Sequence, residues 1–116
     1  MNNITLNIGL NIGNVELNSQ LSATLLLVAK LPHTLVTSLE IKEGVWQGVT
    51  ERTVVFRLVS MNDLAFTKNV IRSLCVGLSQ DAIALKYTTK EGVTTETVVC
   101  KDEKEAIEFS NDFFID

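Results

Sequence analysis

The stretch Ile4-Thr5-Leu6-Asn7-Ile8-Gly9-Leu10-Asn11-Ile12 decides the fold. Apolar side chains fall at every second position and alternate with Thr, Asn and Gly. A period of two over nine residues predicts a β-strand with one buried face. Leu6-Asn7-Ile8-Gly9 repeats at once as Leu10-Asn11-Ile12-Gly13. That doubling follows from strand alternation and is not the repeat of a solenoid.

Working outward, Asn18 and Ser19 are cap residues for a helix whose face carries Leu21, Leu25, Val28 and Ala29, and Pro32 stops it. Leu35, Thr37, Leu39 and Ile41 alternate as a second strand, followed by a turn at Glu43-Gly44 or Gln47-Gly48. Thr53 to Val59 is strongly β-branched and nearly all apolar, which predicts an interior strand. Ser60 or Asn62 caps a second helix with Leu64, Ile71, Leu74, Cys75 and Leu78 on its apolar stripe, and Gly77 lies near its end. Ala82 to Thr89 reads as a fourth strand, Lys90-Glu91-Gly92 as a turn, and Val93 to Cys100 as a hairpin strand. The order is strand, helix, strand, strand, helix, strand. It predicts an α+β, ferredoxin-like (βαββαβ) antiparallel sheet with helices on one face, plus an extra C-terminal hairpin strand. Residues 1–100 form the expected domain, and 101–116 an acidic, Phe-rich helix or tail packed on the domain or on a neighbouring subunit.

The 116 residues suffice for one domain that buries roughly two thirds of its unfolded surface. A net charge of −4, with no run of Lys or Arg, argues against non-specific nucleic-acid binding. Cys75 and Cys100 make no CxxC and no metal-spaced set, so both are expected to be reduced and partly buried. The first residues lack the basic region and apolar core of a signal peptide, and the longest apolar stretch, Leu25 to Ala29, is far too short to span a bilayer. A cytoplasmic protein, of a bacterial host, is expected.

The sheet face away from the helices would carry Thr5, Asn7, Gly9 and Asn11 from the first strand. The third strand would add Thr53, Val55, Arg57 and Val59, and Lys86 could join from the fourth. Arg57 beside Asn7 and Asn11, with Lys86 and Arg52, could hold a phosphate or carboxylate through charge-assisted hydrogen bonds. The same half-apolar face could instead pack against a second copy in a dimer, with Arg57 paired to an acid. No exposed aromatics are expected there, which argues against an RNA-reading sheet. Trp46, in the turn between two strands, could anchor a partner or fold back over the core edge. Phe109, Phe113 and Phe114 are candidate partner contacts, because three Phe in eight residues are unlikely to be left in water.

Catalytic candidates are isolated. His33 is the only histidine and follows Pro32 in a loop. Cys75 lies on an apolar stripe, a poor setting for a thiolate. No GxSxG, P-loop, HExxH or Rossmann glycine pattern is present. Gly9 and Gly13 have the wrong spacing to cradle phosphate. The acidic run from Asp102 to Asp116 lacks the alternating ligands of a calcium loop. No cofactor and no metal site are expected.

Three stretches look familiar together: Leu6-Asn7-Ile8-Gly9-Leu10-Asn11, Leu78-Ser79-Gln80-Asp81-Ala82-Ile83-Ala84 and Phe109-Ser110-Asn111-Asp112-Phe113-Phe114. They resemble short hypothetical proteins encoded by phages and prophages. The middle one, with Glu51 in Glu51-Arg52-Thr53-Val54-Val55-Phe56, also resembles a bacterial ferredoxin-like domain family of unknown function. The helix after the first strand looks shorter than in those families. The resemblance implies the fold and a phage setting, and no activity. Gln80-Asp81 also has a local reading, closing the helix and starting the next strand.

The expectation is therefore a non-enzymatic, homo-oligomeric phage-type accessory protein that binds a protein partner, a host-defence inhibitor by analogy of context. The alternative is a protein that binds or sequesters an anionic nucleotide on the sheet face. An enzyme is the weakest reading.

Overall fold

The computed structural model of the chain describes residues 1–102. Strand β1 spans Asn2–Gly9, and a small ribbon follows, β2 (Asn11–Ile12) with β3 (Val15–Glu16). Helix α1 is Gln20–Ala29. The long hairpin β4 (Thr34–Trp46) and β5 (Val49–Ser60) leads into helix α2 (Leu64–Gly77). Strands β6 (Ala82–Thr88) and β7 (Thr94–Cys100) complete the described elements. The five long strands form one antiparallel sheet in the order β4-β5-β1-β6-β7. The architecture is mixed α+β, with a five-strand antiparallel sheet and two helices, and is compatible with a ferredoxin-like class.

The alternation of β1 is used as expected. Leu6 lies opposite Phe56 on β5 and Leu85 on β6; Ile4 lies opposite Leu58 and Tyr87. These side chains, with Ile8, Val54 and Ile83, form one core with Val28 of α1 and with Ile71, Leu74 and Cys75 of α2. Both helices therefore cover the same sheet face. The amphipathic stripe of α2 is sharp. That of α1 is weak: Gln20, Thr24 and Val28 are its buried residues, Leu21 and Leu25 are partly buried, and Ala29 is exposed. The polar members of that face are satisfied. Thr24 Oγ1 donates to the Gln20 carbonyl at 2.8 Å, and Gln20 Nε2 reaches the Leu78 carbonyl at 2.9 Å, tying the start of α1 to the end of α2.

Several boundaries differ from the sequence reading, each for a physical reason. The first strand stops at Gly9 because Asn11 and Ile12 turn away to pair with Glu16 and Val15. The β4–β5 turn falls at Gln47-Gly48, not at Glu43-Gly44. Both turn residues have positive φ, 49° and 79°, as a two-residue turn between twisted strands requires. The cap of α2 is Asp63, whose carboxylate accepts from the Phe66 N–H at 2.8 Å. Asn62 instead becomes a hub: its side chain donates to the Pro32 carbonyl at 2.8 Å, and its own carbonyl accepts from Tyr87 Oη at 2.6 Å.

The face opposite the helices is not the open plane expected. Asn7, Thr53, Val55 and Ala84 are all buried there. The exposed apolar surface lies elsewhere, as Leu39, Ile41 and Val45 along the edge strand β4. Trp46 is the last residue of β4, its backbone paired with Val49 rather than free in a loop. Phe109, Phe113 and Phe114 lie outside the described residues. Cys75 and Cys100 are both buried. No helix among the described residues is long and apolar enough to cross a membrane.

Among the described residues, Phe56 is the largest fully buried side chain, and it contributes to the core from an interior strand. Phe56→Ala is expected to cost about 3–5 kcal/mol of stability, measured as the fall in unfolding free energy from urea titration.

Candidate functional site

β1 ends, β5 begins and β6 begins at the same end of the sheet, because the three strands are antiparallel neighbours. A cavity of about 200 Å³ opens there. One wall is the β2–β3 ribbon, through Asn11, Gly13 and Asn14. Another is the β4–β5 turn, through Gln47 and Val49. The α2–β6 connection supplies Ser79, Gln80 and Asp81, and Glu51 of β5 completes the lining. Among the described residues, the lining contains two acids and no Lys or Arg. Of the three non-glycine residues with positive φ among the described residues, two, Gln47 at 49° and Ser79 at 54°, line this cavity. Left-handed backbone at such positions is strained and is often found at functional sites.

Glu51 is the notable side chain, a carboxylate only 7% exposed. Its Oε2 accepts the Asn11 backbone N–H at 2.9 Å. The Asn11 carbonyl in turn accepts from Gln80 Nε2 at 2.7 Å. Gln80 is itself buried, and its N–H donates to the Cys75 carbonyl at the end of α2. The Asn11 backbone is thus clamped at both its N–H and its carbonyl, by residues 40 and 69 positions away. Burial pushes the Glu51 carboxyl above its ordinary range. The Asn11 N–H pulls the other way, and the nearby charge of Glu16 adds to the rise. Asp81 at the rim is held by Lys101 Nζ at 2.9 Å.

The residues expected to bind an anion are not all brought together. Arg57 and Lys86 do flank Thr5 in register, on the face that also carries Asn7. Arg57, however, is paired with Glu40, at 3.4 Å, and Asn7 is buried. Arg52 points to the other side, where its guanidinium is paired with Glu16 through both carboxylate oxygens. Asn11 lines the acidic cavity instead. His33 is exposed at the far end of the sheet, its backbone carbonyl accepting from the Met61 N–H. Burial pushes the Cys75 thiol up to about 12, which leaves no thiolate near neutrality. Among the described residues, no group of His, Cys, Asp and Glu has the arrangement of a metal site.

The sequence reading passed over Glu51 because a charged residue opening a β-branched strand looks like a solvated strand end. Two signals could have found it. It stands in a stretch already singled out for resemblance, and Gly9 interrupts the outward-facing Thr and Asn residues of β1.

The fold and cavity define a class: a small α+β domain with a polar, acid-lined pocket at one end of its sheet, built around a buried carboxylate. No protein-family model matches the chain, and no curated protein matches it. Solved structures do. The fold is similar to that of a phage SAM lyase in its apo state, with a TM-score of 0.59 at 18% identity. It is also similar to a phage SAM lyase in complex with S-methyl-5′-thioadenosine, with a TM-score of 0.64 at 17% identity. Each match covers 85% of this chain and 88% of the other. These similarities correct the expectation of a non-enzymatic binding protein, since both solved structures are of an enzyme. The anionic-nucleotide alternative, also a non-enzymatic binding protein, is corrected with it.

The folded-state pKa of Glu51 lies above its unfolded value, so the ionised carboxylate costs stability at neutral pH. That cost disappears as the pH falls through the raised folded value to the ordinary carboxylate range. Glu51→Gln keeps an acceptor for the Asn11 N–H and removes the buried charge. Its thermal midpoint is expected to exceed that of the wild type at pH 7.5, and the gap should close by about pH 4. An equal or lower midpoint at pH 7.5 would contradict the assignment of Glu51 as a buried charge.

Proposed function

We propose that this chain is a lyase acting on S-adenosylmethionine and releasing S-methyl-5′-thioadenosine. The observation that carries the reading is a buried carboxylate, Glu51, in a cavity whose lining is acidic and polar, on a fold similar to that of phage SAM lyase over 85% of the chain. The substrate carries positive charge on its sulfonium and its ammonium. A partly desolvated carboxylate attracts such charge more strongly than one in water. Asn11, Asn14, Gln47 and Gln80 offer amide donors and acceptors for the neutral nucleoside part.

The product defines the bond that breaks. S-methyl-5′-thioadenosine retains the methyl, the sulfur and the deoxyadenosine, so cleavage falls between sulfur and the γ-carbon of the amino-acid chain. Sulfur keeps the bonding pair and becomes a neutral thioether. The four-carbon fragment balances the loss by closing its own carboxylate onto the γ-carbon, or by giving up a β-proton. In the first route Glu51 orients the cationic end; in the second it is also the base. Preorganised charge of this kind is worth roughly 10²–10³-fold in rate.

We place the protein in a phage setting and in the cytoplasm of a bacterial host. We read the layout as ferredoxin-like (βαββαβ) with β7 added at one edge. Its homo-oligomeric state is part of the same proposal. Support comes from the exposed row Leu39, Ile41 and Val45 on an edge strand, apolar surface of the kind a second copy covers.

Incubation with S-adenosylmethionine and mass-spectrometric detection of products tests the reaction. S-methyl-5′-thioadenosine is expected, together with a lactone or an unsaturated amino acid. Glu51→Gln should lower the rate by roughly 10²–10³-fold while remaining folded. Unchanged substrate after prolonged incubation with wild-type protein would refute the lyase reading. Light scattering of the same sample should give a mass above that of one chain; a monomer would refute the oligomer.

A further inference from the structure

We propose that Gly9 is a positioning residue for Glu51: by leaving out a side chain, it creates the space in which the catalytic-site carboxylate sits. The proposal rests on the role given to Glu51 in the lyase reading. It deepens that reading by naming what holds the carboxylate in place.

Gly9 is the last residue of β1, buried, and paired with Thr53. Glu51 lies two positions along β5 from Thr53, beyond the end of the β1 ladder. A Cβ on Gly9 would stand 2.3 Å from Glu51 Oε1, 2.6 Å from Cδ and 2.7 Å from Oε2. A methyl group cannot share space with any of these atoms, and here it would meet all three at once. The backbone does not require glycine at this position. The turn glycines Gly13, Gly48 and Gly92 have positive φ, and Gly9 does not. Alanine would therefore suit the strand conformation, where glycine carries an entropic cost. What excludes it is the carboxylate.

The two halves of the Leu-Asn-Ile-Gly doubling thus serve different ends. Gly13, with φ of 62° and no atom near its missing Cβ, makes the ribbon turn. Gly9 makes room. With the Asn11 N–H on Oε2 and the empty side of Gly9 beneath, the carboxylate has one place to lie. The groups facing it are the Asn11 peptide, Gly9 and, farther off, the charge of Glu16, which is itself paired with Arg52.

The clash is with the end of a flexible side chain, so Gly9→Ala is expected to move the carboxylate and leave the fold standing. Three measurements on the full chain test this. In the wild type, the Glu51 side-chain carboxyl, followed by NMR, should titrate above the ordinary range. In Gly9→Ala it should return to that range, with loss of hydrogen-exchange protection at the Asn11 amide. Release of S-methyl-5′-thioadenosine should fall by roughly 10²-fold or more. Gly9→Ala combined with Glu51→Asp, which draws the carboxylate back by one methylene, should recover part of the activity lost in Gly9→Ala.

If Gly9→Ala leaves the Glu51 titration and the Asn11 protection unchanged, the proposal fails. If the titration moves but the wild type makes no product, the lyase reading fails and the positioning stands. If activity survives while the carboxyl moves, Gly9 does not serve the reaction. Should Gly9→Ala fold poorly, the same change in a Glu51→Ala background decides: with no carboxylate to meet, the added methyl should cost nothing there. A comparable loss in that background would make Gly9 a backbone requirement and overturn the proposal.

Discussion

β1 is paired along both edges and, over Leu6–Gly9, buried on both faces. Its backbone N–H and C=O groups are taken up by β5 on one side and β6 on the other, which is what allows a strand to lose contact with water. Ile4, Leu6 and Ile8 fill the helix side, while Asn7 and Gly9 are buried on the other. The remaining elements take their positions from this strand. The hairpin β4–β5 lies along one edge, and β6–β7 along the other. The helices cross the face that its apolar residues define. The cavity opens where the strand stops.

That stopping point is where structure and chemistry meet. A strand continuing through Asn11 and Ile12 would fill the space with a further rung of the ladder. Instead the chain turns into the β2–β3 ribbon, and the freed Asn11 N–H finds the Glu51 carboxylate. Gln80 holds the carbonyl of the same residue from the end of α2, and Gln20 holds that end of α2 from the start of α1. A chain of buried and part-buried hydrogen bonds thus runs from both helices to the carboxylate. Each donor or acceptor in it would be expensive to leave unsatisfied, which gives the arrangement rigidity. The buried charge works against stability.

Much of the fold was legible in the sequence. The alternation from Ile4 as far as Ile8, the β-branched run Thr53 to Val59 and the stripe Ile71, Leu74, Cys75 each act within one element, and each was placed correctly. The hairpin glycine Gly92 was marked by turn chemistry alone, whereas turn chemistry left Gly44 and Gly48 as equal candidates for the first hairpin. Errors came where contacts beyond one element decided the matter. Asn62 looked like a cap and became a hub because Pro32 and Tyr87 meet it in space. The face carrying Asn7 and Val55 looked open and is buried. The anion-site reading gathered Arg57, Lys86, Asn7 and Asn11, with Arg52, whereas Arg57 and Arg52 are paired with Glu40 and Glu16.

The sequence by itself determined the periodicities, and with them the order and type of the long elements and the composition of the core. These are properties of neighbours in the chain, and a side chain's direction along one strand or helix is fixed by local geometry. Only the tertiary structure decided the site. Gly9, Asn11, Glu51 and Gln80 carry no common motif, and the hydrogen bonds joining them span 40 and 69 residues. A missing Cβ is visible in the sequence as a glycine. That the space it leaves holds a carboxylate is a fact of packing, set by where the end of β1 meets the beginning of β5.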